Sequence, residues 1–139
     1  MGADRQDELE VVFNNAIYIV YAPEGELRLR IGEDAPALRQ LLHKHGTNRA
    51  AIITAHNPGA RTQDAAANQA AQARLLHQAE ELQLPLLHGH NRAEQGDGPV
   101  EPTVVILGIG HQDACKLARD FDQVALVYIG EHAPEIVWL

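Results

Sequence analysis

Apolar side chains fill nearly every position of Ala50-Ala51-Ile52-Ile53-Thr54-Ala55 and of Thr103-Val104-Val105-Ile106-Leu107-Gly108-Ile109. A strand covered on both faces reads this way, so both runs are expected near the middle of a sheet. Residues 16–22 (AIYIVYA) and 27–31 (LRLRI) are also strand-like, and Pro23-Glu24-Gly25 between them has the turn chemistry of a hairpin. In the second of these, Leu27, Leu29 and Ile31 alternate with Arg28 and Arg30. One face is therefore wet, which suits the sheet edge. Further short strands are expected at 86–90, 124–129 and 135–138, the last two joined through Gly130 to Pro134.

The periodicity changes between these runs. Asp34 with Pro36 marks a helix start, and Gly46 ends that helix after about residue 45. Residues 63–83, rich in Ala, Gln and Leu, predict the longest helix. Its buried stripe runs through Ala71, Leu75, Ala79 and Leu82, and one step back reaches Asn68. An amide at the head of an apolar stripe needs partners inside the protein. The nearest are the backbone of the 57–61 loop or a ligand lying in it, and a buried Asn pinning the loop is the plainer reading. A third helix places Ala114, Leu117, Ala118 and Phe121 on one side. The order ββαβαββαββ gives an α/β chain, with α+β as the alternative: one mixed sheet of about six or seven strands with three helices. Residues 1–139 are read as a single domain, with 1–12, polar and acidic, as a frayed N-terminal tail.

The first apolar run stops abruptly at His56-Asn57-Pro58-Gly59. Pro58 is expected to hold Asn57 extended and Gly59 to let the chain turn, which stands the Asn57 amide at the carboxyl end of the strand. Open α/β sheets hold ligands there. The plainer role is that Asn57 closes the turn with its own side chain. If the helices link like-oriented strands and the short connections are hairpins, 50–55 and 86–90 run the same way and the strand from Thr103 returns antiparallel. Glu101 and Gln123 then stand on the edge that carries Asn57 and Asn68. Arg61, in the loop, is a candidate counter-charge for Glu101 or for an anionic ligand. The candidate ligand-binding set is Asn57, Arg61, Asn68, Glu101 and Gln123.

Composition narrows the partners. The formal charge of −8 and the scatter of the eleven basic residues argue against a nucleic acid or an anionic membrane. One cysteine, Cys115, makes no internal disulfide, and no apolar run reaches the length of a membrane span, so a soluble cytoplasmic protein is expected. His43 and His45 point to different helix faces; His88 and His90 share a strand face but lack a third ligand nearby. Gly108-x-Gly110 lacks the third glycine and the acidic partner of a dinucleotide fingerprint. No cofactor or metal is expected.

Thr54-Ala55-x-Asn57-Pro58, then Asn68, then Glu101 ahead of Val-Ile-Leu-Gly-Ile, then Phe121-x-Gln123-x-Ala125 together resemble a bacterial family, domain of unknown function 3293. The resemblance covers about residues 50–139, with a looser echo at Tyr18 to Gly32. His56 and Pro99 depart from it at two positions where the pattern carries aromatic residues. The family name implies no activity.

Three functions fit these residues. The first is a module binding a small polar molecule or a protein partner at the rim. The second is a hydrolase-like enzyme with Glu101 as general acid or base, which requires that carboxyl to be enclosed with a raised pKa. The third is a structural rim on an interaction or antigenic surface.

Overall fold

In the computed structural model, which describes residues 3–94 and 100–139, the strands form where the hydrophobic pattern predicts them. They are β1 (Ala16–Ala22), β2 (Gly25–Leu29), β3 (Ala50–Ile53), β4 (Leu86–Ala93), β5 (Glu101–Leu107), β6 (Ala125–Ile129) and β7 (Glu135–Trp138). The helices are α1 (Ala3–Asn14), α2 (Pro36–Lys44), α3 (Ala65–Glu81) and α4 (His111–Asp120). One seven-stranded sheet has the order β2-β1-β4-β5-β3-β6-β7. The half-wet β2 lies at an edge and the two apolar runs lie inside, as their patterns require.

Every neighbouring pair is antiparallel, which corrects the expected mixed sheet. The strand directions deduced from the connections hold, but like-oriented strands are never adjacent. β5 lies between β3 and β4, and β3 lies between β5 and β6. Each helical crossover therefore passes over at least one strand that another part of the chain fills in the opposite direction. Periodicity reports direction through the connections; it carries no information about which strand occupies the gap.

Alternation along the strands divides the core in two. One face carries Ala51, Ile53, Val104, Ile106, Leu126 and Tyr128 against Ala71, Leu75 and Ala79 of α3 and Ala114, Leu117 and Ala118 of α4. The other carries Tyr18, Val20, Ile52, Val105, Leu107 and Val127 against Leu38, Leu41 and Leu42 of α2. At Gly89 a side chain cannot be accommodated: an added Cβ would stand 2.1 Å from the Ile19 carbonyl and 3.0 Å from Thr103 Oγ1.

The helix count and the length of β4 also differ from expectation. The stretch expected to fray contains the fourth helix, α1, tied down by the Phe13 ring 5.7 Å from that of Trp138 and by the Tyr18 hydroxyl, which donates to the Phe13 carbonyl at 3.2 Å. Its apolar residues at helical spacing, Leu9, Val12 and Phe13, are confined to its second half, too short a run to predict a helix. β4 runs on to Ala93, past the end of the strand expected at 86–90, because Asn91 and Arg92 have strand partners in Tyr18 and Ile17. Residues 95–99, Pro99 included, lie outside the described residues.

Candidate functional site

β3 ends at Ile53, and α3 catches the chain as it leaves. Asn68 and Gln72 are one helical turn apart and share a face of α3. The Ala55 N–H donates to Gln72 Oε1 at 2.8 Å and the Asn57 N–H donates to Asn68 Oδ1 at 2.8 Å. Asn57 does not take the extended conformation expected before a proline: its φ of 49° and ψ of 63° are left-handed. Asn tolerates that region better than other side-chained residues, and three tertiary hydrogen bonds hold it there. Asn57 Oδ1 accepts from Asn68 Nδ2 at 3.0 Å and from the Gln63 N–H at 3.2 Å, and its Nδ2 donates to Glu101 Oε1 at 3.1 Å. Gln63 Nε2 adds a bond to Asn68 Oδ1 at 2.8 Å.

The loop that follows doubles back through Gly59 and Ala60, both at positive φ. The Gly59 N–H donates to the Asp122 carbonyl at 2.6 Å, and Gln123 Nε2 donates to the His56 carbonyl at 3.2 Å and to the Phe121 carbonyl at 3.3 Å. The 57–61 loop is thus clamped from α3 on one side and from the segment entering β6 on the other.

Glu101 opens β5 directly opposite Asn91 of β4, and Tyr18 of β1 stands opposite Asn91 in turn. These three share the α2 face of the sheet, where Tyr18 also belongs to the cluster packed against α2. There a cavity of about 290 Å³ remains between the sheet and α1. Its apolar wall comes from Leu9, Val12, Phe13, Ile52, Val127 and Ile136; Glu101, Thr103, Asn91, His56 and Asn57 supply polar groups.

The electrostatics follow from partial enclosure. Burial pushes the Glu101 carboxyl above the usual carboxylate range, opposed by the hydrogen bond from Asn57, the charge of His56 and a hydrogen bond from Asn91. Burial pulls the His56 imidazole below its ordinary value, opposed by the Glu101 charge. The Tyr18 phenol is driven well up by burial and, secondarily, by Glu101. Each group is thereby biased toward its neutral form.

A family model described as protein of unknown function (DUF3293) matches residues 53–126, just over half of the chain. The chain belongs to this family. The DUF3293 match takes in the clamped loop, Asn68, Glu101 and Gln123, whereas α1 and β1, which supply part of the cavity wall, precede it. No curated protein and no solved structure matches the chain.

Four of the five candidate residues are therefore neighbours: Asn57, Asn68 and Glu101 by direct side-chain contact, and Gln123 through the His56 carbonyl. Arg61 is not among them. It is exposed, does not line the cavity and joins none of the ion pairs found among the described residues, because the chain leaves the Pro58–Ala60 turn extended and heading outward. Glu101 is instead held by the amides of Asn57 and Asn91. Gln63, Gln72, Asn91, Tyr18 and Thr103 were missed. Gln72 could have been found as the residue one turn beyond Asn68. Asn91 and Tyr18 depend on which strands pair, which spacing does not reveal. Cys115 lies in the core cluster on the far face of the sheet.

Proposed function

We propose that this chain is a cytoplasmic bacterial protein that binds a small polar molecule in the cavity under α1, with Glu101 as its polar anchor. The observation that carries this reading is a carboxylate in the wall of an otherwise mostly apolar cavity, at the small end of the roughly 300–1,000 Å³ range of ligand pockets. The amides of Asn57, Asn68 and Gln123 spend their hydrogen bonds on one another, on Gln63, on Glu101 and on backbone. They frame the loop, and the ligand meets Glu101. In this respect the structural reading of the rim accounts for three of its residues. The acidic surface and the single buried cysteine support a soluble partner in a reducing compartment. No helix among the described residues is long and apolar enough to cross a membrane.

The raised Glu101 carboxyl beside His56 favours one alternative, a hydrolase-like reaction with Glu101 as general acid or base. A melting-temperature screen of a metabolite library on the wild type, Ala125→Leu and Glu101→Gln tests both. Ala125 lines the cavity two positions before Val127, on the same strand face, so leucine fills the space. A ligand that raises the wild-type melting point, loses its effect in Ala125→Leu and is returned unchanged supports binding. Conversion of that ligand, abolished by Glu101→Gln, supports the enzyme. Hits indifferent to Ala125→Leu count against the cavity.

A further inference from the structure

β2 ends the sheet on one side, and its outer edge has no strand against it among the described residues. Such an edge accepts a further strand unless lysines, a proline or a bulge guard it. Gly25-Glu26-Leu27-Arg28-Leu29 carries none of these and pairs with β1 residue for residue. The two-residue loop Pro23-Glu24 makes the flanking residues, Ala22 and Gly25, a bonded pair. By alternation, Leu27 and Leu29 also spend their backbone groups on β1, opposite Val20 and Tyr18. The N–H and carbonyl groups of Glu26 and Arg28 therefore face outward. Both side chains are exposed, and neither joins the ion pairs found among the described residues.

We infer that β2 pairs antiparallel with β2 of a second copy of this chain, across a twofold axis through Leu27, joining two seven-stranded sheets into one. What selects this occupant is charge complementarity of the edge with itself. With the axis at Leu27, Glu26 of each copy stands opposite Arg28 of the other, twice by symmetry, and the outward backbone groups of these two residues are the ones the register bonds. Neighbouring registers fail. Sliding by two residues centres the axis on Glu26 or on Arg28 and sets like charges face to face. Sliding by one pairs outward residues with inward ones and forfeits the bonds. Further out, Glu24 meets Arg30; each already holds an exposed partner in its own chain, Lys44 and Glu94 respectively, both at 2.6 Å, so the selection falls to Glu26 and Arg28. The other free edge, β7, carries a lone charge, Glu135, and has no such antisymmetry. A formal charge of −8 opposes indiscriminate self-association, which leaves the contact to local complementarity. Two short strands bury little surface, so the dimer is weak and concentration-dependent.

Sedimentation equilibrium of the wild type, E26R, R28E, the double variant E26R/R28E and an equimolar mixture of the two single variants tests the pairing. The wild type is expected to dimerise at concentrations up to about 1 mM. Each single variant sets like charges opposite each other twice and is expected to dimerise roughly tenfold more weakly. The double variant exchanges the two charges and is expected to return to the wild-type affinity. In the mixture the arginines of one variant face the glutamates of the other, so a heterodimer is expected where neither variant alone forms a homodimer of that strength. A wild type that stays monomeric throughout this range, or a dimer indifferent to both single substitutions, would overturn the pairing. So would a mixture without the heterodimer, or a double variant as weak as the single ones. Association that continues past the dimer would overturn it too, since a head-to-tail contact, not a twofold one, grows without closing.

Discussion

Asn57 and Asn68 hold each other by a reciprocal pair of bonds: the Asn68 amide donates to the Asn57 side-chain oxygen, and the Asn57 backbone N–H donates to the Asn68 side-chain oxygen. The two are eleven residues apart, one in a turn and one in the first turn and a half of α3. Their pairing turns the end of β3 into a fixed support for Glu101, because the remaining donor of Asn57 is the one that reaches that carboxylate. The cavity anchor is thus positioned from the loop as well as from its own strand.

Removal of the Asn68 amide leaves the Asn57 N–H and the Gln63 amide without their acceptor in a site that is 8 % exposed. Asn68→Ala is expected to cost roughly 3 kcal/mol, from two donors stripped of partners. Urea denaturation at equal m-values checks it, and a loss under 1 kcal/mol would show that the loop does not depend on this amide.

The left-handed backbone of Asn57 separates two contributions. Asn57→Gly and Asn57→Ala remove the same side-chain bonds, but alanine must also adopt positive φ, at about 1–2 kcal/mol. Asn57→Ala is therefore expected to be the less stable by about that amount in chemical denaturation. Equal stabilities would mean that the turn relaxes to another conformation.

Glu101 gives a pH dependence whose sign follows from its raised pKa. The folded chain holds that proton more tightly than the unfolded chain does. The resulting stabilisation is complete below the ordinary value of 4.5 and is lost as pH rises through the higher folded value. Relative to Glu101→Gln, the wild type should therefore lose stability as pH climbs above 4.5 and level off once Glu101 is ionised in the fold. His56, with its lowered pKa, works the other way: its contribution is present above 6.5 and is lost as pH falls through its folded value. Denaturation of both proteins between pH 4 and pH 8 gives the difference curve. A flat curve, or one rising with pH, contradicts the enclosure of Glu101.

Thr103→Val is expected to stabilise the ligand-free protein by about 1 kcal/mol, since it exchanges an unpartnered buried hydroxyl for a methyl group of similar size. Calorimetric melting measures this directly. Destabilisation would show that the hydroxyl is satisfied in solution.

The sequence by itself determined the strands and three helices, the edge position of β2, the interior positions of β3 and β5, and the direction in which each strand runs. Those follow from side-chain periodicity and from the rule that a helical crossover joins like-oriented strands. The same rule was enough to set Asn57, Asn68, Glu101 and Gln123 at one end of the sheet. Only the tertiary structure decided which strands are neighbours, and hence that the sheet is antiparallel throughout and that Tyr18 and Asn91 line up beside Glu101. Only the tertiary structure, too, turned Arg61 outward and laid α1 across the sheet to enclose a cavity. The physical reason is that periodicity is a local property of the chain, whereas lateral pairing and the space left between α1 and the sheet depend on contacts between residues far apart, whose complementarity no single stretch records.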